Sequence, residues 1–266
     1  MRRHRGCIVV AGAIGTILAA FVLALALARP APDRLDPTWS RVRSQGVLRV
    51  GMDASYPPFD HEEGGVYSGF DVDLAHEIGA RLGLEIQFVN ISFDGLYDAL
   101  AAGRCDVLIS ALPYEPSRTE EVFYTGGYFN AGQVLVARRS SGLTDWRGLV
   151  GGTVAVEMGS QAHQEALRLR DREGLLLSIV LAGSGADAVT ILMEGEADAA
   201  LVDAVGAYGA LAAYPELAFC GSPLTDDSYV VATRRDSPQL FGAVNGTLNA
   251  LRAEGWLDAL ARRWLS

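Results

Sequence analysis

Ala102-Gly103-Arg104-Cys105-Asp106-Val107-Leu108-Ile109-Ser110 recurs in kind 92 residues later as Glu194-Gly195-Glu196-Ala197-Asp198-Ala199-Ala200-Leu201-Val202-Asp203. Each stretch reads as the end of a helix, a glycine stop, an aspartate, and then a short apolar strand finishing on a polar residue. Gly-x-x-Asp before a strand is also ordinary helix-to-strand punctuation, so the echo alone leaves both readings open. Taken as a repeat, it predicts two α/β lobes of similar build, each turning a strand's carboxyl end toward a shared crevice. Ligands of open α/β sheets bind at such strand ends.

Outward from these stretches the same grammar continues. From residue 47, short apolar, β-branched runs alternate with amphipathic segments, the pattern of βα units around largely parallel sheets. Strands are predicted over 47–52, 85–89, 107–110, 133–137, 153–156, 178–181, 199–202 and 229–233. Phe70, Leu74, Ile78 and Leu82 share helical spacing, and Gly83 stops that helix. Asp236, Ser237 and Pro238 open a last helical region with a cap and a proline at the first position. Its stripe of Leu240, Val244, Leu248 and Leu251 reads as core.

The chain of 266 residues is long enough for two domains, and half of it is hydrophobic. All 22 basic residues are arginine; set against 32 acids they leave a formal charge of -10, which repels nucleic acid. Arg2, Arg3 and Arg5 precede an uncharged apolar run over 7–28, followed by Arg29 and Pro30. Its length lies between a signal-peptide core of roughly 7 to 15 residues and the roughly 20 that span a bilayer. Residues 1–28 are therefore read as a signal peptide, with a small-x-small cleavage site at Ala26-Leu27-Ala28, or as an N-terminal membrane anchor. Either fate places the body outside the cytoplasm. Cys7 lies ahead of any cleavage point and cannot carry a lipid there, while Cys105 and Cys220 are read as buried thiols in preference to a disulfide.

Residues 47–59, Val-Leu-Arg-Val-Gly-Met-Asp-Ala-Ser-Tyr-Pro-Pro-Phe, followed by Gly69-Phe70-Asp71-Val72-Asp73-Leu74, resemble the opening of the polar-amino-acid family of bacterial extracellular solute-binding proteins, family 3. Phe93-Asp94-Gly95-Leu96, Gly103 with residues 106–110, Pro116-Ser117-Arg118, residues 128–133 and residues 197–203 follow in that family's order. The resemblance spans roughly residues 39–266. It implies a two-lobed periplasmic-binding-protein-like clamp of type II, with two crossing hinge strands. Its parts would be a lead-in over 29–45, one lobe from 46–129 plus 226–266, and a second from 130–225. It also implies an amino acid or related small carboxylate as ligand and the membrane permease of an ABC-type uptake transporter as partner. A monomer with no cofactor, no metal and no catalytic residue is expected.

Residue by residue, Arg118 matches the family's carboxylate-binding arginine, whose planar fork grips a carboxylate through two parallel hydrogen bonds. Asp203 matches the acid that receives an α-ammonium, and it also suits a helix N-cap. Gly159-Ser160-Gln161 precedes a helix and offers free backbone N–H groups as a second carboxylate seat. Tyr56 and Phe93 match rings that sandwich the ligand's side chain, with Asp53, Ser110 and Ala111 beside them. Two departures stand out. Pro113 replaces a serine or threonine and supplies neither hydroxyl nor N–H, at a cost on the order of 5- to 150-fold in affinity. Gln161 replaces a threonine.

Relatives of this fold include secreted dehydratases acting on cyclohexadienyl amino acids. Glu157 and Glu115 are the acids that such chemistry would draw on, but neither stands in a recognisable catalytic pattern. His61, His76 and His163 lack metal-ligand spacing. A membrane-anchored sensory domain is the remaining alternative, and the chain's end at Ser266 favours delivery to a transporter over it.

Overall fold

Val50, wholly buried, pairs in parallel register with Phe88 on one side and Val107 on the other. In the computed structural model, which describes residues 36–265, this is the centre of the first of two five-stranded sheets. The apolar run over 7–28, with its cleavage or anchoring, lies outside the described residues. Among those described, no helix is long and apolar enough to cross a membrane.

The first sheet joins β1 (Val47–Met52), β5 (Glu85–Asn90), β6 (Val107–Leu108), β7 (Val122–Tyr124) and β15 (Ala232–Arg234) in the order β5-β1-β6-β15-β7. The second joins β9 (Gln133–Arg138), β10 (Thr153–Glu157), β11 (Ser178–Ala182), β12 (Ala199–Asp203) and β13 (Leu217–Phe219) in the order β11-β10-β12-β9-β13. Both place three parallel strands beside antiparallel ones. Between the sheets runs a two-stranded ribbon, β8 (Phe129–Asn130) against β14 (Ser228–Tyr229), where the chain passes out and returns. The fold is thus a two-lobed α/β clamp with two crossing strands. A small meander of β2 (Ser55–Tyr56), β3 (Asp60–Glu63) and β4 (Val66–Ser68) adds a flap that sequence periodicity did not signal.

Helices α1 (Pro37–Gln45), α2 (Phe70–Leu82), α3 (Leu96–Ala101), α7 (Pro238–Ala253) and α8 (Trp256–Leu265) accompany the first sheet; α4 (Gln161–Asp171), α5 (Gly185–Glu194) and α6 (Ala204–Ala213) accompany the second. Helix α2 follows the predicted spacing and stops at Gly83, left-handed at φ 68°. The predicted stripe of α7 is buried. The predicted cap is not made: Ser237, though buried, makes no side-chain capping bond. Buried Asp36 does that work, accepting from the Gln239 and Leu240 amides at 3.0 and 3.1 Å while its other oxygen caps α1 through Trp39 N at 2.8 Å.

The two echoing aspartates perform matching tasks. Asp106 Oδ2 accepts the Arg49 amide at 3.0 Å and its own amide donates to Arg49 O at 2.8 Å, tying the foot of β6 to β1. Asp198 Oδ2 accepts the Thr153 amide at 2.8 Å and its amide donates to Thr153 O at 2.9 Å, tying β12 to β10. Burial works to raise Asp106, yet hydrogen bonds from Arg49 and Arg41 hold it below the ordinary carboxylate range.

Two strands differ from expectation for tertiary reasons. The strand predicted over 107–110 ends at Leu108, because Ala111 takes a left-handed φ of 42°. The strand predicted over 229–233 divides into β14 and β15, because the Val230 and Val231 amides bond to Leu112 O and Thr125 Oγ1 instead of a ladder. Cys105 and Cys220 are free and buried in separate apolar clusters.

Candidate functional site

Asp53 follows the carboxyl end of β1 and organises one wall of the crevice. Its Oδ2 accepts the Phe93 amide at 2.7 Å and its Oδ1 accepts the Ser55 hydroxyl at 2.6 Å. That pair of bonds fixes the loops carrying Phe93 and Tyr56. Both rings are left exposed, at 42% and 51%, which is unusual for residues that otherwise seek a core. Tyr56 stacks on buried Phe59, with ring centroids 5.8 Å apart and planes 12° apart, so the exposed ring is held rigidly from behind.

Opposite them, the chain leaving β6 supplies Ser110, Ala111 and Pro113. Pro113 bridges to Tyr229 of the hinge ribbon, and the flanking bonds Val230 N to Leu112 O (2.9 Å) and Tyr114 N to Ser228 O (3.2 Å) tie this segment to the crossing strand. Together the two walls enclose about 340 Å³. The lining comprises Asp53, Tyr56, Phe93, Ser110, Ala111 and Pro113, all singled out in the sequence, and two residues that were not, Ser55 and Tyr229. The volume falls at the small end of ligand pockets. Burial, then the Tyr56 hydroxyl, raise the Tyr229 phenol, so it stays a neutral hydrogen-bonding group.

The remaining candidates lie elsewhere. Arg118 ends a short 3₁₀ turn, Pro116–Arg118, and does not line the cavity. Its Nε donates to Glu115 at 3.0 Å, its NH1 donates to Glu121 at 3.2 Å, and its guanidinium lies 4.2 Å from the Tyr97 ring centroid. Tyr97 is itself fixed by a 2.7 Å hydroxyl contact with Tyr124. Asp203, at the end of β12, caps α6 by accepting the Gly206 amide at 2.8 Å and borders a separate cavity of about 440 Å³. Ser160 caps α4 by accepting the His163 amide at 3.2 Å. Gly159, left-handed at φ 81°, donates its amide to His163 Nδ1 at 3.2 Å. Gln161 opens α4, donates to Asp227 at 3.1 Å, and borders a third groove with Thr225. The caps expected of Ser160 and Asp203 are therefore made, and both stand at carboxyl ends of second-lobe strands.

The acids nominated for dehydratase chemistry are engaged otherwise. Glu157 accepts the Gly185 amide at 3.0 Å, and Glu115 holds Arg118. His61 and His76 are exposed, the latter edge-on to Phe88, and His163 serves the α4 cap.

Residues 48–266 match the family of bacterial extracellular solute-binding proteins, family 3. The lysine/arginine/ornithine-binding periplasmic protein of Escherichia coli is 31% identical over 229 residues, covering 82% of this chain and 87% of that protein. Among solved structures, an ancestral cationic amino acid solute-binding protein is 29% identical with a TM-score of 0.58, covering 86% of this chain and all of that one. An ancestral cyclohexadienyl dehydratase gives a TM-score of 0.74 over 85% of this chain and 95% of that one, but at 22% identity the likeness extends to the fold alone.

Proposed function

The chain belongs to the bacterial extracellular solute-binding proteins of family 3, and from that premise we propose that it captures an amino acid between its lobes and delivers it to an ABC-type permease. The observation that carries this reading is the cavity of about 340 Å³ lined by the exposed rings of Tyr56, which is stacked on Phe59, and Phe93, with Asp53 beside them. Its planar walls suit a side chain with a flat or extended form. Its one lining carboxylate suits a cation, in keeping with the lysine, arginine and ornithine for which the Escherichia coli relative is named.

In this reading the lobes comprise residues 46–129 with 226–266, and residues 130–225. The ribbon of β8 and β14 supports that division, since the chain crosses there in both directions. On closure, Arg118 leaves Glu115 and Glu121 to grip the ligand's carboxylate, Asp203 receives the ammonium from the opposite lobe, and the amides around Gly159, Ser160 and Gln161 supply further donors. The body works outside the cytoplasm as a monomer, exported by its N-terminal apolar run. Catalysis forms no part of this reading, in keeping with the engagement of Glu115 and Glu157.

Mass spectrometry of small molecules released on unfolding the purified protein tests the ligand class. Recovery of an amino acid or related carboxylate supports it, and recovery of a sugar or metal chelate overturns it.

A further inference from the structure

Behind the wall of Ser110 and Ala111 lie two acids, Asp60 on β3 and Asp71 in the first turn of α2, neither with any exposed surface. Gly69 brings them together. At φ 138° it lets the Asp71 amide reach Phe59 O at 3.0 Å; a Cβ at Gly69 would sit 2.0 Å from that same oxygen.

Every group facing the pair is neutral or acidic. Ser110 Oγ donates to Asp60 Oδ2 at 3.2 Å while accepting the Asp53 amide at 2.9 Å. Asp71 Oδ2 accepts the Ala111 amide and, at 2.9 Å, the Tyr128 hydroxyl. Tyr128 and Tyr229 stay neutral phenols, raised first by burial, and Asp53 adds a further carboxylate nearby. Among the described residues neither acid has an ion-pair partner, and Asp60 Oδ1 and Asp71 Oδ1 have no donor at all.

Two bare carboxylates side by side in a dry, cation-free site repel each other and lack solvation, so both do not ionise together. A proton on one carboxyl removes the repulsion and creates the donor that the other lacks. Burial, then the neighbouring Asp71 carboxylate, push Asp60 far above the ordinary carboxylate range. Burial raises Asp71 less, because the Ala111 amide and Tyr128 hydroxyl oppose it. Asp71 accepts both the Ala111 amide and the Tyr128 hydroxyl where Asp60 has only the Ser110 hydroxyl, so when one proton is shared Asp60 keeps it and Asp71 carries the charge, the stronger acceptor for an amide whose residue sits in a disfavoured left-handed conformation.

We propose that Asp60 and Asp71 are positioning residues of the cleft, sharing one proton and thereby holding Ser110 and Ala111 in the conformation that meets the ligand. The part of this inference that concerns ligand rests on the cleft reading above.

The test uses the full chain with Asp60→Asn, Asp71→Asn and Tyr128→Phe. First, without ligand, urea melts are run from pH 5 to 8. A carboxyl raised in the folded state contributes stability that is complete below about 4 and declines as pH rises toward the folded value. The wild-type midpoint should therefore fall with pH. Asp60→Asn, which mimics the protonated member, should flatten that slope, and Tyr128→Phe, which strips a donor from the charged member, should steepen it. Identical slopes in wild type, Asp60→Asn and Tyr128→Phe overturn the shared proton. Second, hydrogen exchange of a peptide spanning 107–114 should match wild type in Asp60→Asn and be at least tenfold faster in Asp71→Asn. Equal protection in both overturns the positioning role. Third, with L-arginine as probe in calorimetry at pH 6, 7 and 8, Asp60→Asn should bind within about threefold of wild type and Asp71→Asn at least tenfold more weakly. If wild type binds neither L-arginine, L-lysine nor L-glutamine while the first two outcomes hold, the ligand reading fails and the shared proton stands.

Discussion

Replacing Glu115 by glutamine isolates the competition built into the carboxylate seat proposed at Arg118. In the structure Arg118 already holds two carboxylates, Glu115 at 3.0 Å and Glu121 at 3.2 Å, with more than a third of each side chain exposed. Pairs this exposed are weak, so displacing Glu115 costs an incoming ligand no more than about fivefold in affinity. Glu115→Gln should accordingly tighten binding of L-arginine by up to about fivefold. The gain should shrink as salt rises, because added ions already screen the exposed pair. Arg118→Ala removes the seat itself and should weaken binding by roughly 30-fold to several thousand-fold, the usual range for truncating one partner of a desolvated charge pair. Asp203→Ala then separates ligand classes. It should be damaging for a zwitterion and nearly neutral, or even favourable, for a carboxylate without an ammonium. Titration calorimetry on the three variants, with thermal melts to confirm folding after loss of the Tyr97 stack, provides the readout. Near-wild-type affinity in Arg118→Ala would refute the reasoning, because the guanidinium would then be a surface group kept by its own glutamates.

Asp36→Ala strands three amides across two helix starts; urea melts should show a loss of about 2 to 4 kcal/mol. Asp106 is held below the ordinary range, so its contribution is present above about 4 and disappears as pH falls through the depressed value. Wild type should therefore lose stability below pH 4 more steeply than Asp106→Asn, a sign opposite to that of Asp60. Incubation with arogenate or prephenate should give no dehydrated product above background in a coupled absorbance assay, and product formation would promote the enzyme reading.

The alternation of apolar runs and helical stripes was enough to read βα units around parallel strands, and Phe70, Leu74, Ile78 and Leu240 sit in the core where their spacing put them. The cavity residues were legible only through resemblance, since an isolated Tyr56 or Phe93 looks like core until Asp53 is seen pinning both loops. What stayed hidden depended on partners distant in sequence. Asp36 reaches helix α7 some 200 residues away, Ala111 turns left-handed over a carboxylate from α2, and Val230 gives its amide to Leu112. Local pattern carries no record of such bonds. The engagement of Arg118 differs, since Glu115 and Glu121 are its i±3 neighbours, a local spacing that signals a competing carboxylate on either side and of which the sequence reading of Arg118 made no use.

Asp106 and Asp198 index the two inner strands from below. Each fixes how far its strand advances along its neighbour at a point four or five residues before the crevice. Height at the rim is thereby decided by chemistry that never meets a ligand. The rim residues are correspondingly free to differ, and they do, as Ser-Ala-Leu-Pro over one strand and Asp-Ala over the other. A lineage of such proteins can exchange the groups presented to solute one at a time, with every newcomer arriving at an address already set.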